Sequence, residues 1–89
     1  MIKSKLIISS YKINNVFKKY GLKNKGISLL KKRAKKKGVE EQIAMVADLY
    51  YSGFLMPSKI LFKRLVDRFL YMEIGSEEIG QIKIKIWKE

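Results

Sequence analysis

Between Val39 and Met72 apolar residues recur with helical spacing, twice over. Ile43, Val46, Ala47 and Tyr50 fall at i, i+3, i+4 and i+7, one stripe of a first helix. Glu40 and Glu41 occupy its opening turn, where carboxylates meet the positive end of the helix dipole. Gly53 suits a left-handed stop, and Pro57 a first helical position, where its missing N–H costs nothing. The second helix gathers Leu61, Phe62, Leu65, Phe69 and Met72 on one side, with Lys59, Lys63, Arg64, Asp67 and Arg68 opposite. Before this pair, Ile2–Ser9 alternates as a short strand: Ile2, Ser4, Leu6 and Ile8 on one face, Lys3, Lys5 and Ile7 on the other. Ser9 or Ser10 can cap a helix running to Tyr20, with the stripe Ile13, Val16, Phe17, Tyr20 and a stop at Gly21. Lys12, Asn14, Lys18 and Lys19 are left facing outward. After Gly26, Ile27, Leu30 and Ala34, widened by Leu29, predict a helix from Ile27 to Lys37 ended by Gly38.

At the far end the period changes. Glu73–Gly80 holds two glycines and reads as a turn. From Gln81 to Trp87, Ile82, Ile84 and Ile86 alternate with Lys83, Lys85 and Trp87, the pattern of a half-buried strand. Tyr71–Ile74 would pair with it across the turn, and Ile2–Ile8 could add a third strand. The expectation is an α+β domain of three to four helices with a C-terminal β-hairpin and an N-terminal strand available to its sheet.

Charge changes the picture more than composition does. The 89 residues suit one domain, and 47% hydrophobic residues can bury a core. Cysteine and histidine are both absent, so disulfides, thiolate metal sites, histidine ligands and Ser-His or Cys-His nucleophiles are excluded. No run approaches the roughly 20 apolar residues of a membrane span. No leader pattern opens the chain, so a cytoplasmic protein without a membrane partner is expected. The net charge of +12 is unevenly spread. Thirteen cations and no acid lie between Met1 and Gly38; seven cations and eight acids, a net of −1, follow from Val39 to Glu89. Compactness alone does not favour loading one end this way, because like charges repel. A polyanion is the implied partner, nucleic acid before an anionic membrane.

The densest charge is the run Lys31, Lys32, Arg33, Ala34, Lys35, Lys36, Lys37. A solvated helix end would want a cation or two against the dipole, worth about 0.3–1 kcal/mol each. Six in seven residues fit a phosphate-contacting patch better. Short basic runs also match nuclear localisation signals, a pattern common by chance. Enzyme chemistry finds no footing. Asp48, Asp67 and Glu73 are scattered, and the glycines at 21, 26, 38, 53, 75 and 80 form no phosphate-binding loop. Tyr11, Tyr51, Tyr71 and Trp87 lie off the main stripes or at their edges, as rim residues or as platforms for unpaired bases. No cofactor or small-molecule substrate is implied.

A helix, a break and a second helix with Lys59, Lys63, Arg64 and Arg68 on its outer face resemble a helix-turn-helix. Lysine-bearing strand residues after it resemble the wing of winged-helix DNA-binding domains of plasmids and phages. Two positions depart from the compact form: Leu49 stands where a small residue belongs and Lys59 where an apolar one does. The expected organisation is one domain over residues 1–89, with a basic region at 1–38, the helix pair at 39–72 and a wing hairpin at 73–89; the resemblance covers Gly26 to Trp87 in element order. It implies non-catalytic binding of double-stranded DNA by a regulator, an origin-binding factor or an accessory at transfer origins, with a homodimer left open. In that arrangement Arg64 would meet a guanine edge beside Lys59 and Lys63, and Arg68 a phosphate. Lys83 and Lys85 would face the neighbouring backbone or minor groove from the wing, unless a β-ribbon rather than the helix reads the DNA. Readings from other classes are a metal-independent basic RNase toxin and an inhibitor or adaptor that binds an acidic protein.

Overall fold

Each of the first three helices ends in the same backbone device, and that device sets the architecture. In the computed structural model, which describes residues 9–88, α1 spans Ser10–Lys19, α2 Asn24–Lys36 and α3 Glu40–Tyr51. After α3, Gly53 N–H reaches Tyr50 O at 3.1 Å and Phe54 N–H reaches Leu49 O at 2.9 Å. This is a Schellman closure, and Gly53 adopts the positive φ of 90° it requires. Gly21 with Leu22 repeats the pattern on Lys18 and Phe17, and Gly38 with Val39 repeats it on Lys35 and Ala34. The loops are therefore short, and consecutive helices pack as neighbours.

α4 spans Leu55–Phe69 and α5 Tyr71–Lys88. α4 begins two residues before Pro57, and only Ser52, Gly53 and Phe54 separate it from α3. Pro57 thus sits at the third helical position, still among the first four whose N–H groups lack an intrahelical partner. α2 likewise starts before Gly26. Glycine suits that helical position because a Cβ would lie 2.7 Å from Leu22 Cδ1, so a larger residue would have to displace the buried Leu22 side chain. Ser9 is the cap of α1, its hydroxyl accepting from Lys12 N–H at 3.2 Å.

The expected α+β architecture is overturned: the described residues contain no strand, and α5 stands where the winged-helix hairpin was anticipated. The reason is visible in the burial pattern. Ile79, Ile82 and Ile86 are buried at i, i+3 and i+7, while Ile84 is 55% exposed. The Ile82–Ile84–Ile86 alternation was the shadow of a helical stripe that begins at Ile79. Glu77 and Glu78 precede the stripe and Lys83 and Lys85 lie in its C-terminal half, the polarity the helix dipole favours. A single break remains at Gly75, with φ 83° and ψ 158°. The strand expected at Ile2–Ile8 and the side chains of Met72, Glu73 and Trp87 lie outside the described residues.

α3 packs against α1, α2 and α4; α5 lies along α4. One core results, centred on Val16, Phe17, Leu30, Val46, Ala47, Phe62 and Leu70, all fully buried. Phe62 meets both Phe17 and Tyr20, with ring centroids 5.3 and 5.0 Å apart. Phe62, Leu65 and Phe69 are buried as their spacing implied, joined by Val66, Leu70 and Ser58; Leu61 is only half-buried. No helix among the described residues is long and apolar enough to cross a membrane.

Candidate nucleic-acid interface

A helical period divides the basic run of α2 between two tasks. Ala34 is fully buried against the core, so the helix face it marks points inward. Lys31 flanks that face, half-buried, and donates to Ser10 Oγ at 2.9 Å and Asn14 Oδ1 at 2.7 Å. Burial pushes its pKa below the usual lysine value. Arg33 reaches across to α4, where Nη1 donates to Phe69 O at 3.0 Å and so serves a carbonyl in that helix's last turn. Lys31 and Arg33 thus bind helices together. Lys32, Lys35, Lys36 and Lys37 are exposed.

The outer face of α4 is less uniformly cationic than its sequence suggests. Lys63 pairs with Asp67 one turn on, at 2.9 Å. The Arg68 guanidinium lies 4.9 Å from the Phe69 ring centroid, and Arg64 is exposed. At the front of the helix Phe54, Leu55, Met56 and Ile60 are exposed apolar residues. Lys83 and Lys85 do not share a wing face: two helical steps place them about 200° apart, with Lys83 half-buried and Lys85 exposed.

Lys59 and Lys85 are instead brought together by the fold, in company that sequence spacing did not single out. Lys18 and Lys19 at the end of α1, Lys59 in α4 and Lys85 in α5 border a cleft of 430 Å³, with Tyr20, Tyr50, Leu55 and Ile86 completing its lining. The rings of Tyr20 and Tyr50 stand edge to face at 6.1 Å. The Tyr20 hydroxyl is within 2.8 Å of Ser58 Oγ, which donates to Val46 O at 2.8 Å. Burial pushes the Tyr20 pKa above its ordinary value; the Ser58 hydrogen bond offsets this in part, and Tyr50 adds to the rise.

Elsewhere, Tyr51 is a partly exposed rim residue whose hydroxyl accepts from Asn15 Nδ2 at 3.1 Å, with Lys12 Nζ 5.3 Å from its ring centroid. Tyr11 and Tyr71 are exposed. Among the described residues no three acidic side chains come close enough to share a metal ion. The described residues form a small, basic domain built of helices. Compared with known proteins, the chain matches no family model, no curated protein and no solved structure.

Proposed function

We propose that the protein binds double-stranded DNA without catalysis, chiefly through phosphate contacts. The observation that carries this reading is the segregation of charge: thirteen cations and no acid precede Val39, and Lys32, Lys35, Lys36 and Lys37 among them stand exposed at one end of α2. Arg33 on Phe69 O ties that end to the last turn of α4, near Arg68. The three-residue glycine turn between α3 and α4 has the length found in helix-turn-helix units. Arg64 and Arg68 are both exposed on α4, and Arg64, whose guanidinium does not lie against a ring as that of Arg68 does, has the fork to pair with guanine O6 and N7.

Duplex affinity measured by fluorescence anisotropy against salt tests the reading. Neutralising about 6–10 phosphates should cost roughly 10³–10⁵ in affinity between about 50 and 200 mM salt. A flat dependence would refute it. Salt-resistant binding to an acidic protein would favour an inhibitor or adaptor, and metal-independent RNA cleavage would favour a ribonuclease.

A further inference from the structure

The end of the bundle where Lys18, Lys19, Lys59 and Lys85 meet has no part in that duplex contact. Three helices bring four lysines to the lining of one cleft, and no acidic side chain lines it among the described residues. Lys18 and Lys19 lie in the last turn of α1, where cations offset the helix dipole. Lys59 has no such reason to be there. It sits in the second turn of α4, near the positive end of its own helix, and still lines the same cleft as the three other lysines. Lys85 passes over Gly21, so closely that a Cβ there would lie 3.3 Å from Lys85 Cδ. The first turn of α4 adds to the same sign, since Phe54 supplies no side-chain cap and no acid follows it. Like charges gathered around a cleft disfavour the empty state and focus a field that an anion relieves.

The volume and the remaining walls narrow the anion's chemistry. At 430 Å³ the cleft falls within the roughly 300–1,000 Å³ of small-ligand pockets, so it has room for a phosphate and the group that bears it. Tyr50, half-buried, and Leu55, exposed, offer that group an aromatic and aliphatic surface. We infer that the cleft binds a nucleotide phosphate, with Lys18, Lys19, Lys59 and Lys85 holding the phosphate and Tyr50 and Leu55 accommodating sugar and base. The nucleotide is either free or the 5′-phosphorylated end of a nucleic acid. The site does not depend on the duplex-binding surface at the other end of α1.

The test uses the full chain, calorimetry with adenosine 5′-monophosphate, and anisotropy with one blunt duplex bearing either 5′-hydroxyl or 5′-phosphate ends. Saturable binding of the mononucleotide identifies the free ligand; tighter binding of the 5′-phosphorylated duplex identifies the nucleic-acid end. In either case Lys59→Gln/Lys85→Gln should weaken that preference by about tenfold or more, as losing charge-assisted contacts implies. Lys59→Arg/Lys85→Arg should restore much of it. Absence of both mononucleotide binding and 5′-phosphate preference would overturn the assignment, as would a preference unchanged in the glutamine variant. The 5′-hydroxyl duplex reports the other surface separately. Its affinity should survive Lys59→Gln/Lys85→Gln and fall with glutamine at Lys32, Lys35, Lys36 and Lys37, so each reading can fail alone.

Discussion

Ser58 is a polar side chain buried in the core, and its hydroxyl joins α4 to Val46 in α3 and to Tyr20 at the end of α1. Its single hydroxyl proton goes to Val46 O in α3, so the Tyr20 hydroxyl at the end of α1 must donate to Ser58 Oγ. That direction makes the two ends of the pair unequal. Removing the tyrosine hydroxyl leaves Ser58 still bonded to Val46 and short only of an acceptor's partner. Tyr20→Phe should therefore cost about 0.5–1.5 kcal/mol, the net worth of one hydrogen bond. Ser58→Ala loses the bond to Val46 and strands a buried tyrosine O–H, whose desolvation penalty is roughly 1–3 kcal/mol. Val46 O is less affected, because a helical carbonyl already accepts within its own helix. The expected cost of Ser58→Ala is about 2–3 kcal/mol.

Combining the substitutions removes the stranded hydroxyl. The double variant should be more stable than the sum of the singles implies, by a coupling of about 1–2 kcal/mol. Thermal unfolding followed by far-ultraviolet circular dichroism resolves this, since 1 kcal/mol moves Tm by about 4–8 °C in a domain this small. Additive losses, or a Tyr20→Phe variant as unstable as Ser58→Ala, would refute the donor assignment.

The buried Tyr20 hydroxyl also makes stability depend on pH. Its native pKa is raised, so the folded chain keeps a proton that the unfolded chain releases; its contribution is full below about pH 10 and is lost as pH rises through the native value. Wild type should lose stability faster than Tyr20→Phe above about pH 10, read by chemical denaturation. Gly80→Ala, at a helical position with nothing within 4 Å of the added Cβ, should stabilise the chain by about 0.4–1 kcal/mol. Gly75→Ala, at φ 83° and ψ 158°, should destabilise it by about 1–3 kcal/mol. If residues 73–80 formed a hairpin turn instead, Gly80→Ala would not raise Tm. Arg33→Ala should lower Tm through the lost bond to Phe69 O, whereas Lys36→Ala should leave Tm unchanged and weaken duplex binding.

The helical half of the fold was legible because two signals agreed. Apolar spacing marked the faces of α1 to α4, and Gly21, Gly38 and Gly53 stood where left-handed stops are needed. Boundaries slipped where a helix extended past a residue that usually begins one, as with Pro57, or contained a glycine for packing, as with Gly26. α5 was misread because isoleucine favours strands and because spacings of two and of four both connect Ile82 to Ile86. Ile79 and the placement of Glu77 and Glu78 were the signals that could have decided for a helix. The lysine cleft left no local trace at all. Lys18, Lys59 and Lys85 come from three helices far apart in sequence, and only the packing of α1, α4 and α5 makes them one site.

Where the cations fall then says how the two ends of the molecule act. Lys31 touches Ser10 and Asn14 in the first half of α1, and Lys35, Lys36 and Lys37 continue beyond it along α2. Lys18 and Lys19 close the opposite end of α1. Its ten residues span about 15 Å at 1.5 Å each, roughly twice the Debye length of about 8 Å at physiological ionic strength. Charges in one cluster are thus largely screened from those in the other, so the excess positive charge does not act as one diffuse field. On the proposed reading, each cluster answers to its own anion. The salt dependence of duplex binding should accordingly follow the exposed lysines of α2, and charge removed at the cleft should leave that slope where it was.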